Sequence, residues 1–229
     1  MTSYDAFAPL YDAWSSHMTE DVEFYVDLAR EADGPIVELA VGNGRVAVPV
    51  AKATGRRVIG IDTSEAMLAG ARERAAAEGV QLDLRQGDMR DLSLDEPAAL
   101  IYCPFRSLLH LPTWPDRRRV FERVAASLRP GGRFAWNSFV LNPHRAAESD
   151  GKWHEQAGVK HRIDHVQADN RVDITFESGE RVQLWWVTRG EWEALVDVSG
   201  LETEALYGWF DRRPFGDDAR EFVWVARKP

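Results

Sequence analysis

The sequence predicts an α/β fold, doubly wound around a mostly parallel sheet, and three observations predict it. Short apolar runs alternate with segments of helical period through the first two thirds of the 229-residue chain. The first apolar run breaks into a glycine turn, Gly42-Asn43-Gly44, where a helix should begin. The second run ends on an acid, Asp62, 18 residues after Gly44. Strands that alternate with helices pair in parallel through right-handed crossovers, which gather their C-terminal ends on one ligand-bearing edge.

Residues 35–40 form the first strand, stopped by the glycine turn. Residues 45–53 have helical spacing and end at Gly55, a residue suited to the left-handed conformation that closes helices. Residues 57–62 are the second strand. Thr63 or Ser64 can cap the next helix, which runs to Glu78 and stops at Gly79. Residues 80–86 alternate apolar and polar side chains, as a third strand does. Residues 98–103 are a fourth strand, closed by Pro104. Residues 114–128 are helical, with Val120, Phe121, Val124 and Leu128 on one face. Pro130-Gly131-Gly132 predicts a hard stop before a fifth strand at 133–140.

The pattern then changes. Residues 151–187 have no helical period and are punctuated by Asp169-Asn170 and Ser178-Gly179, which predicts an antiparallel meander. Thr188-Arg189-Gly190-Glu191 has the spacing of a capping box and opens a helix to Val198. Residues 204–210 and 221–227 read as two neighbouring antiparallel strands. Residues 1–229 are thus expected to form one domain carrying the meander as an insert, seven strands making up the main sheet.

Composition narrows the function. An apolar share of 45% supports a sizeable core. One cysteine, Cys103, excludes an internal disulfide framework and fits a reducing compartment. Mean hydropathy is −0.37, and no apolar stretch approaches the roughly 20 residues of a membrane helix. The first residues lack the basic start and apolar run of a signal peptide, so a cytoplasmic location is expected, with no membrane partner. A net charge of −9 argues against a nucleic-acid partner, and Arg117-Arg118-Arg119 reads as a solvated helix face. His161 and His165 fall on a strand, about 13 Å apart and too far to share one ion, so no metal is expected.

Gly42 and Gly44 allow a tight turn and close approach of a ligand, and with Ala47 they also fit the dinucleotide fingerprint. Asp62 can accept hydrogen bonds from both ribose hydroxyls of an adenosine, or merely cap the helix after it. Glu38 lies within a strand covered on both faces, where an unpaired carboxylate is costly. A methionyl ammonium would satisfy it, whereas a nicotinamide dinucleotide offers only anionic phosphates there. Asp88 can accept from an adenine amino group while the backbone N–H of Met89 donates to the ring.

These stretches resemble the class I S-adenosylmethionine-dependent methyltransferases. The resemblance rests on residues 36–47, 58–68 and 101–111, on Gly87-Asp88-Met89, on Leu128-Arg129-Pro130-Gly131-Gly132, and on the opening Tyr4-Asp5-Ala6-Phe7-Ala8-Pro9-Leu10-Tyr11-Asp12. It is nearest to small-molecule enzymes with an antiparallel insert after the fifth strand, and it covers nearly the whole chain. It implies a Rossmann-like methyltransferase fold, with S-adenosylmethionine as cofactor and S-adenosylhomocysteine as product. It further implies that the glycine turn cradles the cofactor, that Asp62 and Asp88 hold ribose and adenine, and that Tyr11, within a helical cover over residues 1–30, closes over it. The sequence departs from the family at Ala40, usually glycine, and at Val41, often cysteine; the methyl of Ala40 is tolerable if its φ is negative.

Residues 104–111 face the reacting methyl in this fold. His110 is the candidate general base, and holding a backbone carbonyl is its alternative role. Arg106 is a candidate for an acidic acceptor group or for an ion pair. Cys103 is either a thiol at the cofactor wall or a buried small residue. The insert is expected to roof the acceptor pocket with aromatic side chains, Trp153 and Trp185 foremost, with His154, His161 and Trp186 further candidates; self-association through its sheet edge, giving a homodimer, is the alternative. The expected activity is transfer of the cofactor's methyl group to a nitrogen or oxygen of a small organic acceptor. The rivals are a nicotinamide-dependent oxidoreductase and a non-catalytic S-adenosylmethionine-binding domain.

Overall fold

The computed structural model describes residues 5, 11, 13–15 and 18–229. The expected cover over residues 1–30 and the opening Tyr4–Asp12 motif therefore fall partly outside the described residues. Five strands follow the predicted order: β1 (Ile36–Leu39), β2 (Val58–Asp62), β3 (Leu82–Gln86), β4 (Ala98–Cys103) and β5 (Leu128–Phe139). The meander is four strands, β6 (Lys152–Gln156), β7 (Val159–Val166), β8 (Arg171–Phe176) and β9 (Arg181–Trp185), and the chain closes with β10 (Glu202–Tyr207) and β11 (Glu221–Arg227). The helices are α1 (Glu20–Glu31), α2 (Ala47–Thr54), α3 (Glu65–Glu78), α4 (Trp114–Ser127), α5 (Pro143–Ser149) and α6 (Arg189–Val198).

The main sheet has seven strands in the order β10-β11-β5-β4-β1-β2-β3, and β11 runs antiparallel to both its neighbours. The second sheet, β6-β7-β8-β9, is antiparallel throughout. Local chemistry sets the helix ends as expected. Ser64 Oγ accepts from the N–H of Met67 at the start of α3, and the Thr188–Glu191 capping box opens α6. Helix α5 carries no apolar stripe and escaped the periodicity reading; Asn142 caps it through the N–H groups of His144 and Arg145.

Because alternate strand residues point to opposite faces, the central strands feed two cores. Val37, Leu39, Ile101, Phe134, Trp136 and Trp224 pack under α4 and α6, where Phe121 and Trp192 complete an aromatic wall. Each such ring removes roughly 150–250 Å² from water, and the Trp192 indole N–H also reaches Ser138 Oγ at 3.0 Å. Ile36, Leu100, Tyr102, Ala135 and Val223 pack under α1 and α2 on the other face.

Pro130-Gly131-Gly132 does not stop the chain. It lies inside β5 as a bulge, the pairing with β4 jumping from Ala98–Leu128 to Leu100–Arg133. The C-terminal strand holds it there: Gly131 N–H donates to the carbonyl of Lys228 at 2.8 Å, and Lys228 N–H donates to Gly132 at 2.9 Å. A partner on the far side satisfies the backbone groups that the bulge would otherwise expose.

Candidate active site

A cavity of about 510 Å³ opens at the C-terminal edge of the parallel strands. It sits between β1 and β4, where the strand order reverses, the place where open α/β sheets bind ligands. Its floor comes from the loops after β1 (Ala40, Gly42) and after β3 (Gly87, Asp88, Met89, Arg90) and from the end of β2 (Ile61, Asp62, Thr63). The loop after β4 adds Phe105, Ser107 and His110, β9 adds Arg181, Gln183 and Trp185, and Tyr11 closes one side.

The glycine turn is required by its geometry. Gly42 has φ +54° and Gly44 has φ +77°, the left-handed region that favours glycine, and a Cβ on Gly44 would make a tight 3.3 Å contact with Val48 Cγ2. Ala40 also has positive φ, +53°, so the negative φ its methyl would prefer is not what the fold imposes. The turn must bring the chain from the buried β1 over the strand ends, and Ala40 takes the left-handed conformation that glycine adopts without strain.

Asp62 is held by both oxygens. Oδ1 accepts from Ser64 N–H at 2.9 Å and Oδ2 from Gly42 N–H at 2.8 Å, while burial raises its pKa against the pull of those N–H groups. It therefore ties Ser64, the residue that caps α3, to the glycine turn and also faces the cavity. Asp88 accepts from the backbone N–H of Arg90 at 2.8 Å and pairs with its guanidinium, which holds Asp88 below the ordinary carboxylate range. Arg90 reaches on to Asp116 at 2.9 Å.

Glu38, Gly44 and Cys103 lie outside the cavity lining. Cys103 is fully buried in the core, and burial pushes its thiol above the ordinary range, so it is a packing residue rather than a cavity thiol. Glu38 is 1% exposed and stands beside Tyr102 on the neighbouring strand. Neither Glu38 Oε2 nor the Tyr102 hydroxyl completes a hydrogen bond among the described residues. Burial drives Glu38 well above the usual carboxylate range, opposed by the adjacent Tyr102 hydroxyl and the Arg45 guanidinium.

On the side of the cavity formed by the loop after β4 and by β9, His110 Nδ1 lies 3.1 Å from the carbonyl oxygen of Gln183, and burial lowers the His110 pKa to about 4. The carbonyl-holding role is thus present, and it fixes the Nδ1–H tautomer. Gln183 Nε2 donates to Asp173 Oδ1 at 2.9 Å, and Asp173 also pairs with Arg171 and Arg181. Arg106 departs from the expected acceptor contact: its guanidinium is spent on Glu221. Trp153 departs as well, being 56% exposed on β6, which forms the meander's outer edge with β9 at the opposite one. His154 and His161 stack on each other on the meander's other face, where Trp186 also packs. Phe105 lines the cavity from within the 104–111 loop, and Arg90, Arg181 and Gln183 are cavity residues that the sequence did not single out. The place of Gln183 depends on pairing across the meander, which no local pattern shows.

The fold and this cavity are those of a doubly wound α/β protein whose ligand lies over the strand ends. Residues 36–132 match a family described as a methyltransferase domain. The 27-O-demethylrifamycin SV methyltransferase of Amycolatopsis mediterranei is 30% identical over 230 residues, covering 89% of this chain and 83% of that one. A dTDP-3-amino-3,6-dideoxy-alpha-D-glucopyranose N,N-dimethyltransferase of Streptomyces fradiae is 34% identical over 195 residues, covering 76% and 72%. The CcbJ methyltransferase of Streptomyces caelestis superposes with a TM-score of 0.84 at 26% identity, over 100% of this chain and 98% of that one. The chain belongs to the class I S-adenosylmethionine-dependent methyltransferases, and S-adenosylmethionine is its cofactor. The residues present fit that molecule: a turn whose two glycines have positive φ, an acid at the end of β2, and a buried carboxyl group with one oxygen lacking a hydrogen-bond partner among the described residues, suited to its ammonium. Neither rival reading gains support. No helix among the described residues is long and apolar enough to cross a membrane.

Proposed function

We propose that the acceptor is a small organic molecule presenting a hydroxyl or amine, and that it enters between the 105–111 loop and strand β9. The enzyme moves the methyl group of S-adenosylmethionine to a nitrogen or oxygen of such a molecule. When bound, the cofactor supplies an electrophilic methyl on a sulfonium. Glu38, whose pKa burial raises, would meet the ammonium as a carboxylate once that cation offsets the cost of burying its charge, and Asp62 would offer its remaining lone pairs to the ribose hydroxyls. Asp88 and the N–H of Met89 border the adenine, and Tyr11 lies over Gly42, its hydroxyl 3.7 Å from where a Cβ would stand.

In-line displacement depends above all on positioning. The His110–Gln183 contact carries the reading, because it joins the loop after β4 to the insert across the cavity. With Nδ1–H given to the carbonyl, the ring's lone pair is on Nε2, and the lowered pKa keeps the imidazole neutral at pH 7. It is a weak base, so its task is to orient an acceptor hydroxyl and receive the proton as the methyl transfers. Trp185 and Arg181 form the adjoining roof. The relatives are named for O-methylation of a demethylrifamycin and N,N-dimethylation of an amino sugar, so both nucleophiles belong in the first trial. The buried Cys103, the chain's one cysteine, supports a cytoplasmic location.

The test is an acceptor screen with S-adenosylmethionine, read as S-adenosylhomocysteine release, over phenols, hydroxylated macrocycles and amino sugars. Turnover with at least one class is expected, and replacing residues 151–187 by a short Gly-Ser linker should abolish it while calorimetry still shows cofactor binding. Undiminished turnover without the insert would overturn the roof.

A further inference from the structure

Arg106 stands between two cavity-lining residues, Phe105 and Ser107, but does not itself line the cavity. Its Nε donates to Glu221 Oε1 at 2.9 Å, and Nη2 reaches the same oxygen. Glu221 is fully buried at the start of β11, and its Oε2 accepts from Asn137 Nδ2 at 3.0 Å. Asn137, also fully buried, accepts through Oδ1 from the Tyr25 hydroxyl of α1 at 3.2 Å and lies 3.5 Å from the Arg106 backbone nitrogen. Helix α1 thus braces Asn137 through Tyr25, and strands β5 and β11 converge on one loop residue, Arg106.

That residue sits in a constrained turn. Phe105 and Arg106 have φ +55° and +63°, two consecutive side-chain-bearing residues in the left-handed region. The turn sets the Phe105 ring at the cavity wall, edge-on to Tyr11 at 5.9 Å between centroids and 4.8 Å from the Arg45 guanidinium. It also launches the 3₁₀ turn Ser107–His110. A buried ion pair is a weak source of net stability; this one supplies fixed geometry to a backbone that would otherwise relax.

We infer that Glu221 and Asn137 are positioning residues for the acceptor half of the site. They hold Arg106, and through it the turn that presents Phe105, Ser107 and His110. Neither lines the cavity. The inference rests on the reading that this loop faces the acceptor, but its first readouts require no acceptor.

Glu221→Gln keeps the side chain's shape and removes its charge. Amide exchange over residues 105–111 should accelerate about tenfold or more, as local opening without global unfolding does. The His110 imidazole, followed by NMR, should titrate above its present value of about 4 as the ring gains solvent. S-adenosylhomocysteine affinity by calorimetry should stay within about threefold, since the cofactor half is built on other strands. With an acceptor from the screen, kcat should fall more than KM rises. Arg106→Lys, which keeps a cation but loses the fork, should restore part of each effect relative to Arg106→Asn. Arg106→Asn also stands in should Glu221→Gln not fold, because asparagine tolerates positive φ. Loop exchange and His110 titration unchanged in both variants would overturn the inference. So would loop exchange that rises only together with global unfolding and loss of S-adenosylhomocysteine binding.

Discussion

The backbone N–H of Gly42 donates to Asp62 Oδ2 at 2.8 Å, so the acid closing β2 is tied to the glycine turn that follows β1. Its other oxygen takes the N–H of Ser64, which makes the same carboxylate the hinge between the turn and α3. A carboxylate that lines the cavity thus also holds the local architecture.

Asp62→Ala should therefore do two things. It orphans two backbone donors, at a cost of about 1–3 kcal/mol in denaturant unfolding. It also removes charge-assisted ribose contacts, lowering S-adenosylmethionine affinity about 30- to 150-fold in calorimetry. A stability loss with unchanged affinity would reduce Asp62 to a helix cap.

Glu38→Gln should separate stability from binding. The folded-state pKa of Glu38 is raised, so its carboxylate favours folding below the ordinary carboxylate pKa and loses that favour as pH rises through the raised value. At pH 7 and above the variant should be more stable than the parent without cofactor, by thermal unfolding, and near pH 4 the difference should vanish. Its affinity for S-adenosylmethionine should drop roughly 10- to 100-fold with the loss of the ion pair to the ammonium. Undiminished affinity would show that Glu38 does not meet that charge.

His110 gives a pH dependence of opposite sense. Its folded-state pKa is depressed to about 4 from an unfolded value near 6.5. Its contribution to stability is complete above pH 6.5 and is lost as pH falls toward 4, by up to about 3 kcal/mol, less for a ring that keeps some solvent contact. His161 shifts in the same direction. The difference between the parent and His110→Gln, followed by urea unfolding from pH 7 to pH 4, isolates the effect. The acid limb of kcat/KM should likewise lie near pH 4; a limb near 6.5 would mean that the ring titrates freely.

Ala40→Gly relieves a left-handed residue. At φ +53° alanine carries a strain that glycine lacks, offset in part by glycine's greater freedom in the unfolded chain. The variant should be up to about 1 kcal/mol more stable in urea unfolding, with cofactor affinity retained or improved. Ala40→Val, β-branched at positive φ, should lose both stability and affinity.

Much of this protein was legible locally. Strand and helix alternation, the caps at Ser64 and Thr188, and the glycines that end α2 and α3 are short-range chemistry, and they fixed the order of the elements. The floor of the cavity followed, because Ala40, Gly42, Asp62, Asp88 and Met89 sit at strand ends that a parallel sheet must bring together. The Pro130-Gly131-Gly132 bulge did not follow, since its backbone partners arrive about 100 residues later.

The sequence by itself determined the sheet, its ligand edge and the acids that face it, because periodicity and turn chemistry act within a few residues of each other. Only the tertiary structure decided what the loop after β4 and the insert bring to the cavity. Arg106 could serve a ligand or an ion pair, and Glu221, 115 residues away, decided for the pair. His110 could be a general base or hold a backbone carbonyl, and the carbonyl of Gln183, 73 residues on, shows that it does hold one, while burial lowers its pKa to about 4. Trp153 and Trp185 looked alike until strand order put one at the solvent edge and the other on the cavity wall. In each case the deciding term was burial or a hydrogen-bond partner supplied by a distant strand, a quantity that no local pattern encodes.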